Sequence, residues 1–410
     1  MQIAFVTSLV PGKIPTSGYE IANLAIINAL RALGHDVTII GFAQPGQDVA
    51  DLPGMMVVRR IMVENAHAAS AQKLNWAMRA VKTGLPIGSA KLLECPWNEF
   101  EATLDRAGPF DALILNSFQL PGAYPKLMER PYIYVAHNVE HLTAAENAAH
   151  AGGLINRLLY RRDADVLKKL EAQLCQQAQH VFCLSEEDRE LLCGDSADLL
   201  HRSSMLPLVT PARQTESSSE FGDLRHDWAN ATHDVGLIGT WTWQPNLVGL
   251  RWFLDGVLPH IDGEMSICIA GKVPDGLPAH YPGVRFLGRV ESAEEFVAQS
   301  RVMALVSRGG TGVQLKTIEA FQMGKACVAT SSSLRGISHV PQNCTEENDP
   351  EAFAGYLSNM SLTARTKPVS VDGSAFYDQQ WNSLLDRIQW SLEAAIPTER
   401  PAMPELARVS

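Results

Sequence analysis

The sequence predicts an α/β protein made of two doubly wound domains in tandem. Short apolar runs without polar alternation, typical of strands buried on both faces of a parallel sheet, alternate with amphipathic stretches typical of covering helices. The same rhythm starts again after a polar, Ser-rich segment at 210–233, which we interpret as a linker. A chain of 410 residues also has the length of two ordinary domains.

The predicted strands divide into two sets of five, one in a domain at 1–205 and one in a domain at 206–375. The first set is 3–10, 36–42, 112–115, 132–136 and 181–184. The second set is 235–239, 265–270, 284–287, 302–306 and 326–330. A helical apolar stripe at 376–395 predicts a long helix, and 397–410 are expected to form a frayed tail.

Composition and charge exclude several classes of protein. The 46% hydrophobic and 19% charged content is typical of a globular protein. A net charge of −11 argues against nucleic-acid binding, which depends on Lys and Arg. Seven scattered cysteines without a C-x-x-C pair indicate reduced thiols and a cytoplasmic protein. We expect neither a signal peptide nor a membrane-spanning helix, so any membrane contact should be peripheral.

The loop after the first predicted strand is a candidate ligand site. It has the sequence SLVPGKIPTSGYE, in which Gly12 and Gly18 flank Lys13 ahead of an amphipathic helix. Glycine lets the backbone approach a ligand, and the amides of a helix N-terminus suit an anion. The loop is not a G-x-G-x-x-G motif, so a nicotinamide cofactor is unsupported. A plain strand-to-helix connection is the alternative.

The fourth predicted strand ends in VAHNVEH, which contains His137, Asn138, Glu140 and His141. Polar side chains just past the carboxyl end of a parallel strand lie where open α/β sheets bind ligands. The alternative is a helix capped by Asn138 with solvated histidines. A metal held by His137 and His141 would need a third ligand, which the spacing does not supply.

A glycine-rich turn in the second domain is the densest candidate site. The predicted strand at 302–306 runs into glycines 309, 310 and 312, and the helix that follows carries Lys316 and Glu319 before Gly324 ends it. Turn amides at a helix N-terminus, with Arg308 and Lys316 nearby, suit a phosphate. Glu319 can accept hydrogen bonds from the vicinal hydroxyls of a ribose. The alternative is a capped helix with an exposed Lys/Glu pair.

With these motifs in place, the chain resembles a bacterial GT-B glycosyltransferase of the family-4 type, in a polysaccharide-assembly subgroup. The segments that carry the resemblance are LRALGHDVTII, HNVE, VFCLSEEDRELL, LIGTWTWQPNLVGLRWFLDGVLPHI and RGGTGVQLKTIEAFQMGKACVATS. The resemblance implies two Rossmann-like domains that face an interdomain cleft. It implies an N-terminal domain that holds the acceptor, a C-terminal domain that holds the nucleotide diphosphate sugar, and a helix at 376–395 that crosses back to the first domain.

The activity that the resemblance implies is retaining sugar transfer in bacterial surface polysaccharide or glycoconjugate synthesis. The donor would be a UDP- or GDP-type sugar, the acceptor a saccharide or a lipid-linked saccharide, and neither a metal nor another cofactor would be needed. The implied catalytic residues are His137, Arg308 and Lys316. The implied donor-binding residues are Gly18, Gly239, Thr240, Lys272, Gly310, Thr311, Gly312 and Glu319, and those on the acceptor side are Lys13, Asn138 and Glu140.

The sequence departs from the family pattern in two places. The first of two motif glutamates is replaced by Thr311, eight residues before Glu319, and the segment GTWTWQPN lacks the usual basic pair. Trp241 and Trp243 in that segment are candidates for stacking on a sugar or base, or for packing. Two alternatives therefore stay open: a degenerate protein that binds a sugar nucleotide or a partner without transfer, and a nucleotide-sugar epimerase.

The segment 65–93 has an unusual charge distribution for this acidic protein. It contains no acidic residue, and it carries Lys73, Arg79, Lys82 and Lys91 among apolar side chains. A basic amphipathic segment predicts peripheral contact with an anionic membrane, here the inner face of the cell membrane. A solvated helix beside the acceptor cleft is the alternative.

Overall fold

Two parallel sheets with helices on both faces make up the molecule. The computed structural model describes residues 1–15, 17–64, 68–210, 231–261, 263–366 and 371–396. The predicted linker at 210–233 lies mostly outside the described residues, and the predicted tail at 397–410 lies entirely outside them. The domain boundary after residue 205 stays a prediction.

The first sheet has seven strands in the order β3-β2-β1-β4-β5-β6-β7, all parallel. They are β1 (Gln2–Thr7), β2 (Asp36–Ala43), β3 (Met55–Arg60), β4 (Ala112–Asn116), β5 (Ile133–Ala136), β6 (His180–Cys183) and β7 (Ser203–Met205). The second sheet has six, again all parallel, in the order β10-β9-β8-β11-β12-β13. They are β8 (His233–Ile238), β9 (Ile267–Ala270), β10 (Val284–Gly288), β11 (Ser300–Leu305), β12 (Ala326–Ala329) and β13 (Cys344–Glu346).

Helices form most of the connections between successive strands, and β2 leads to β3 without one. Those associated with the first sheet are α1 (Gly18–Ala32), α2 (Ser70–Thr83), α3 (Ile87–Ala90), α4 (Trp97–Arg106), α5 (Gln119–Ala123), α6 (Glu140–His150), α7 (Leu154–Gln177), α8 (Glu186–Cys193) and α9 (Ala197–His201). The later ones are α10 (Gln244–Arg251), α11 (Ala293–Gln299), α12 (Leu315–Gln322), α13 (Pro350–Thr366) and α14 (Gly373–Ala395). A π-helical turn, Trp252–Val257, and a 3₁₀ turn, Leu258–His260, extend α10.

Three strands are missing from the sequence prediction, and all three lie at sheet edges. β3 has no fully buried residue, while β7 and β13 are three residues long. A central strand is covered on both faces and therefore forms a continuous apolar run, but an edge strand is partly exposed. The pattern that reveals buried strands is therefore weak at these three positions.

The last helix, α14, connects the two halves of the molecule. Asp372 caps its N-terminus, so the helix begins three residues before the predicted start at 376. Phe376 packs edge-on against Phe321 of α12, with ring centroids 5.3 Å apart. Near the other end, the hydroxyl of Ser391 is 3.1 Å from that of Ser204 in β7. The predicted crossing back to the first domain is therefore confirmed.

All seven cysteines lie in the described structure as free thiols, and six of them are buried. Within the described part of the chain, no helix is both long and apolar enough to cross a membrane.

Candidate functional site

Both sheets reverse their strand order at one point, and the candidate residues gather there. The order reverses between β1 and β4 in the first sheet, and between β8 and β11 in the second. Open α/β sheets bind ligands in the crevice at the carboxyl ends of the strands beside such a switch point. The VAHNVEH segment follows β5, the neighbour of the switch-point strand β4, and the glycine-rich turn follows the switch-point strand β11. The fold alone therefore makes a two-sided cleft the candidate site.

A buried polar network lies at the switch point of the first sheet. Asn116, the last residue of β4, donates from Nδ2 to Oδ1 of Asn23 at 2.8 Å, to the Tyr19 hydroxyl at 2.9 Å and to Thr7 Oγ1 at 3.2 Å. Its Oδ1 pairs with Nε2 of His137 at 2.8 Å. Sequence analysis missed Asn116, which belongs to no local motif, and did not single out Tyr19 within the loop SLVPGKIPTSGYE.

This network fixes the tautomer of His137. Since the Asn116 Oδ1 can only accept, Nε2 of His137 must carry a proton, and Nδ1 is left as the acceptor. The Tyr19 ring lies against the imidazole with centroids 4.6 Å apart. Burial lowers the pKa of His137 to about 3, so this ring is neutral near pH 7. It can position a substrate by hydrogen bonding, and it does not supply a positive charge.

The helix-cap alternative for the VAHNVEH segment is wrong. The N-cap residue of α6 is Val139, which makes no side-chain cap, and His137 is buried. The first amides of α6 donate instead to the carboxylate of Glu171 in α7, which also pairs with Nδ1 of His141 at 2.7 Å. Asn138 donates to Glu140 at 3.3 Å, and burial followed by repulsion from Glu171 raises the pKa of Glu140 to about 7.

The glycine-rich turn adopts a conformation that only glycine accepts readily. Gly310 and Gly312 have φ values of 82° and 78°. A Cβ on Gly312 would lie 2.2 Å from Oδ1 of Asn138, so the turn presses directly against the first domain. Gly324, after the end of α12, also has a positive φ, as predicted for a helix stop.

Direct contacts close the cleft at this turn. The Gly312 amide donates to Oδ2 of Asp188 in α8 at 2.8 Å. The hydroxyls of Thr311 and Thr143 are 3.2 Å apart. Gly18 lies beside Leu315, at the start of α12. Four positions predicted from sequence are therefore brought together at one interface between the domains: Gly18, Asn138, Thr311 and Gly312.

Lys316 lies at the start of α12 and is held over an aromatic ring. Its Nζ lies 5.4 Å from the centroid of Trp241, a buried side chain whose Nε1 donates to the Ala270 carbonyl at 2.8 Å. Burial, followed by repulsion from Arg335, lowers the pKa of Lys316 to about 8. Lys316 and Glu319 are both partly buried, and Gln314 gives α12 no side-chain cap. The alternative of a capped helix with an exposed pair is therefore wrong.

Arg335 is a second positive charge that sequence analysis missed. It follows β12 in the loop SLRGIS and donates to the carbonyl of Gly310 and, at 3.0 Å, to that of Gly309. Its positive charge repels that of Lys316 in the same half of the chain and attracts the carboxylate of Asp188 in the other half. The signal that could have found it is a basic residue just past the carboxyl end of a central parallel strand.

Arg308 points elsewhere than the sequence predicts. Its guanidinium lies 4.7 Å from the ring centroid of Trp252 and donates to the Asn348 carbonyl at 3.4 Å. The side chain is exposed, whereas Lys316 is partly buried and lies over a different tryptophan. The two basic residues predicted to act together thus rest on separate aromatic rings in this structure.

The remaining donor-side residues lie at the ends of β8 and β9. Gly239 donates from its amide to Ala270, and the Lys272 carbonyl accepts from the amide of Trp241 at 3.0 Å. The side chains of Thr240 and Lys272 are exposed. Trp241 is buried and packs, whereas Trp243 is 42% exposed and its face is open to a ligand.

On the acceptor side, Lys13 is exposed and lines a cavity of about 240 Å³ with Glu20, Gln44, Gln47 and Asp48. The Glu20 carboxylate accepts from the Gly12 amide at 3.0 Å, which orders the loop. Within the described residues, no group of three His, Cys, Asp or Glu side chains is arranged to hold a metal ion.

Fold and site together define a protein with two Rossmann-like domains that meet at a cleft, with a glycine-rich turn at their interface. Family models match each half of the chain. A glycosyl transferase 4-like domain matches residues 17–197, and a glycosyl transferases group 1 domain matches residues 232–361. Together they cover about three quarters of the chain. The chain is a glycosyltransferase with the GT-B fold.

Solved structures show the same fold at low sequence identity. Sucrose-phosphate synthase from Thermosynechococcus elongatus matches with a TM-score of 0.63 and 15% identity, over 95% of this chain and 97% of that one. HepE of Anabaena, in complex with UDP, matches with a TM-score of 0.59 and 15% identity, over 96% and 100%. The catalytic domain of starch synthase IV from Arabidopsis thaliana, bound to ADP and acarbose, gives 0.53 and 13%, over 94% and 99%. Among curated protein sequences, none matches this chain significantly.

Proposed function

We propose that the protein is a retaining glycosyltransferase of bacterial surface polysaccharide or glycoconjugate synthesis. It takes a sugar from a UDP-type donor and passes it to a saccharide or lipid-linked acceptor. The observation that supports this best is the contact across the cleft: a Cβ on Gly312 of the glycine-rich turn would lie 3.0 Å from the His137 carbonyl oxygen, and Lys316 follows four residues later at the start of α12. The choice of UDP is supported by the structures of Anabaena HepE with UDP and with UDP-glucose.

Stabilisation of the leaving group is the main task of the donor side. Breaking the sugar–phosphate bond leaves negative charge on the departing diphosphate, which fixed positive groups stabilise most effectively in a closed, water-poor site. Lys316, at the start of α12, and the turn amides at that helix N-terminus supply this charge. Arg335, which braces the Gly309 and Gly310 carbonyls, supplies the second charge that GTWTWQPN lacks. The leaving group therefore needs no metal in this proposal.

The proton of the acceptor hydroxyl passes to the departing phosphate oxygen on the same face of the sugar, so the anomeric configuration is retained. His137 takes no part as an acid, because its pKa of about 3 keeps it neutral. Its Nδ1 instead accepts a hydrogen bond from a hydroxyl of the donor sugar and orients that sugar. Glu319 accepts from the ribose hydroxyls. Thr311 stands where the family has its first motif glutamate, and its hydroxyl pairs with that of Thr143 in the first domain.

The acceptor side lies in the first domain. Lys13 and its cavity offer charged and amide groups to sugar hydroxyls or an anionic acceptor, while Asn138 and Glu140 lie nearer the turn. We propose a cytoplasmic enzyme that works at the inner face of the cell membrane, with peripheral contact through 65–93. Of that segment, residues 68–93 are described.

The test begins with donor binding. Calorimetric titration with UDP, GDP and ADP should give the tightest binding for UDP, because the proposal assigns a UDP-type site. A panel of UDP-sugars is then screened for release of UDP with and without simple saccharide acceptors. For the active pair, nuclear magnetic resonance of the product should show the same anomeric configuration as the donor.

Four results would count against the proposal. An inverted product would exclude the retaining mechanism, and tighter binding of GDP would replace the donor class. Binding of UDP with neither transfer nor hydrolysis across the panel would favour the alternative of a protein that binds sugar nucleotide without turnover. Release of an epimerised free sugar would indicate the epimerase alternative.

A further inference from the structure

Helix α2 carries an apolar stripe on its outward face. Leu74, Met78 and Val81 are 61%, 57% and 56% exposed. Their spacing of four and three residues places them on one face of the helix. Trp76 and Ala80, on the other side, are buried against the protein. The helix is therefore anchored by one face and presents a second apolar face to the outside.

The first turns of α7 present a second exposed apolar group. Leu154, Ile155 and Leu158 are 74%, 76% and 65% exposed. The two helices are joined by Arg162 of α7, which donates to the carbonyl of Ala80 at 2.7 Å and to that of Leu85 at 3.0 Å. Arg162 thus places the C-terminal end of α2 beside α7, and we refer to the six exposed apolar side chains of these two helices as the α2–α7 patch.

Positive charge surrounds the α2–α7 patch. The exposed basic residues are Lys73 and Lys82 on α2, and Arg157 and Arg161 on α7. No acidic residue occurs between Glu64 and Glu94. The first acidic residue of α7, Asp163, is buried and accepts from the Ile87 amide at 2.9 Å. A protein with a net charge of −11 therefore concentrates positive charge around its outward apolar stripe.

We propose that the α2–α7 patch docks on the surface of an anionic lipid bilayer. The apolar side chains enter the boundary between headgroups and acyl chains, and the lysines and arginines pair with anionic headgroups. Basic residues near such a surface strengthen binding by attraction to anionic headgroups, and burial of the apolar stripe strengthens it further. The charge distribution favours a lipid surface over a second copy of the chain, because two copies of the patch would repel each other.

This inference deepens the membrane contact proposed above by adding α7 and naming the inserting side chains, and it does not depend on sugar transfer. The test is flotation of the full chain with vesicles of phosphatidylcholine containing about a third phosphatidylglycerol, against vesicles of phosphatidylcholine alone. We expect binding to the anionic vesicles at low salt, at least tenfold weaker binding to neutral vesicles, and weakening at high salt.

The variants test whether binding needs the patch itself rather than only the net charge of the protein. Met78→Glu with Leu158→Glu should reduce the bound fraction at least tenfold. The matched control, Leu287→Glu with Leu362→Glu, changes side chains that are 41% and 56% exposed in the second half of the chain, and it should bind as the wild type does. A thermal shift with UDP should be equal in all three proteins, so failure of the membrane surface is distinguishable from failure of the donor site.

Two outcomes would overturn the proposal. One is absence of flotation with the anionic vesicles at low salt. The other is flotation that the Met78 and Leu158 substitutions leave unchanged. Sedimentation equilibrium tests whether a second copy of the chain binds the patch instead. If the wild type is a dimer that dissociates in the Met78/Leu158 variant, and no vesicle binding is seen, the patch serves self-association.

Discussion

Lys316 is a basic side chain whose partial burial disfavours its charged form. The side chain lies over Trp241 and has its pKa lowered to about 8, so it is still mostly protonated at pH 7. A bound diphosphate would favour the charged form and raise this pKa. Burial therefore disfavours the charged form of Lys316, and a bound anion would stabilise that form, as expected of an anion-binding group.

Replacement of Lys316 by alanine should remove leaving-group stabilisation. We expect Lys316→Ala to lower kcat/KM for transfer by about 30- to 1,000-fold, which corresponds to about 2–4 kcal/mol of transition-state stabilisation. Steady-state kinetics with the donor sugar identified by the UDP-sugar panel measures it. A loss of less than about threefold would show that Lys316 does not carry this role.

A matched lysine controls for loss of the aromatic contact. Lys126 lies over the ring of Trp97 with Nζ 5.6 Å from the centroid, in the first half of the chain and away from the turn. Lys126→Ala removes the same type of contact without touching the proposed donor site. Its transfer rate should stay near that of the wild type.

The site is only partly predictable at the scale of single residues. His137, Lys316 and the glycines of the turn were found because each lies in a local motif that follows a strand. Asn116, Asp188 and Arg335 were not found, although each contacts or faces a predicted residue. Asn116 and His137 are 21 positions apart, and Asp188 and Gly312 are 124 apart, so no local spacing relates them.

At the scale of elements, the start of β8 carries a buried histidine that links stability to pH. His233 pairs with Ser300 of β11 at 2.7 Å, and burial lowers its pKa to about 4. In the unfolded chain the pKa of histidine is about 6.5. Between these values the unfolded state binds a proton that the folded state does not, so stability falls as the pH falls through this window.

His233→Gln should therefore flatten the acid side of the stability profile. We expect the wild type to lose about 2 kcal/mol more than the variant in the free energy of unfolding between pH 7 and pH 5. Urea denaturation at the two pH values measures this difference. His260→Gln, which changes an exposed histidine, is the control. Equal pH dependence in the wild type and His233→Gln would contradict the assignment.

At the scale of the whole molecule, α14 packs against both halves, so the stability of each half depends on the other. Phe376 packs on α12 of the second half, and Ser391 contacts β7 of the first. The buried side chains between and beside these contacts belong to one apolar cluster that includes residues of both sheets. The C-terminal end of the chain thus stabilises a sheet that begins at residue 2.

Leu392→Ala should consequently loosen the first half of the molecule. Leu392 is 1% exposed, and truncation of a buried leucine costs about 2–5 kcal/mol. Hydrogen exchange should become faster in α1 and β7, with a smaller change in β8 and β9. Glu393→Ala changes the exposed neighbour and should leave exchange unaltered. Uniform acceleration across both sheets would show instead that the molecule opens as one unit.

The sequence by itself determined the class of fold, the buried strands, the glycine-rich turn and the resemblance to glycosyltransferases. These are recorded in local patterns, because strand burial, helix periodicity and glycine placement act over a few neighbouring residues. Only the tertiary structure decided that Arg335 joins Lys316, that Arg308 rests on Trp252, and that α7 extends the basic face of α2. These contacts depend on which elements pack together in the fold. The spacing of residues along the sequence does not show which elements those are.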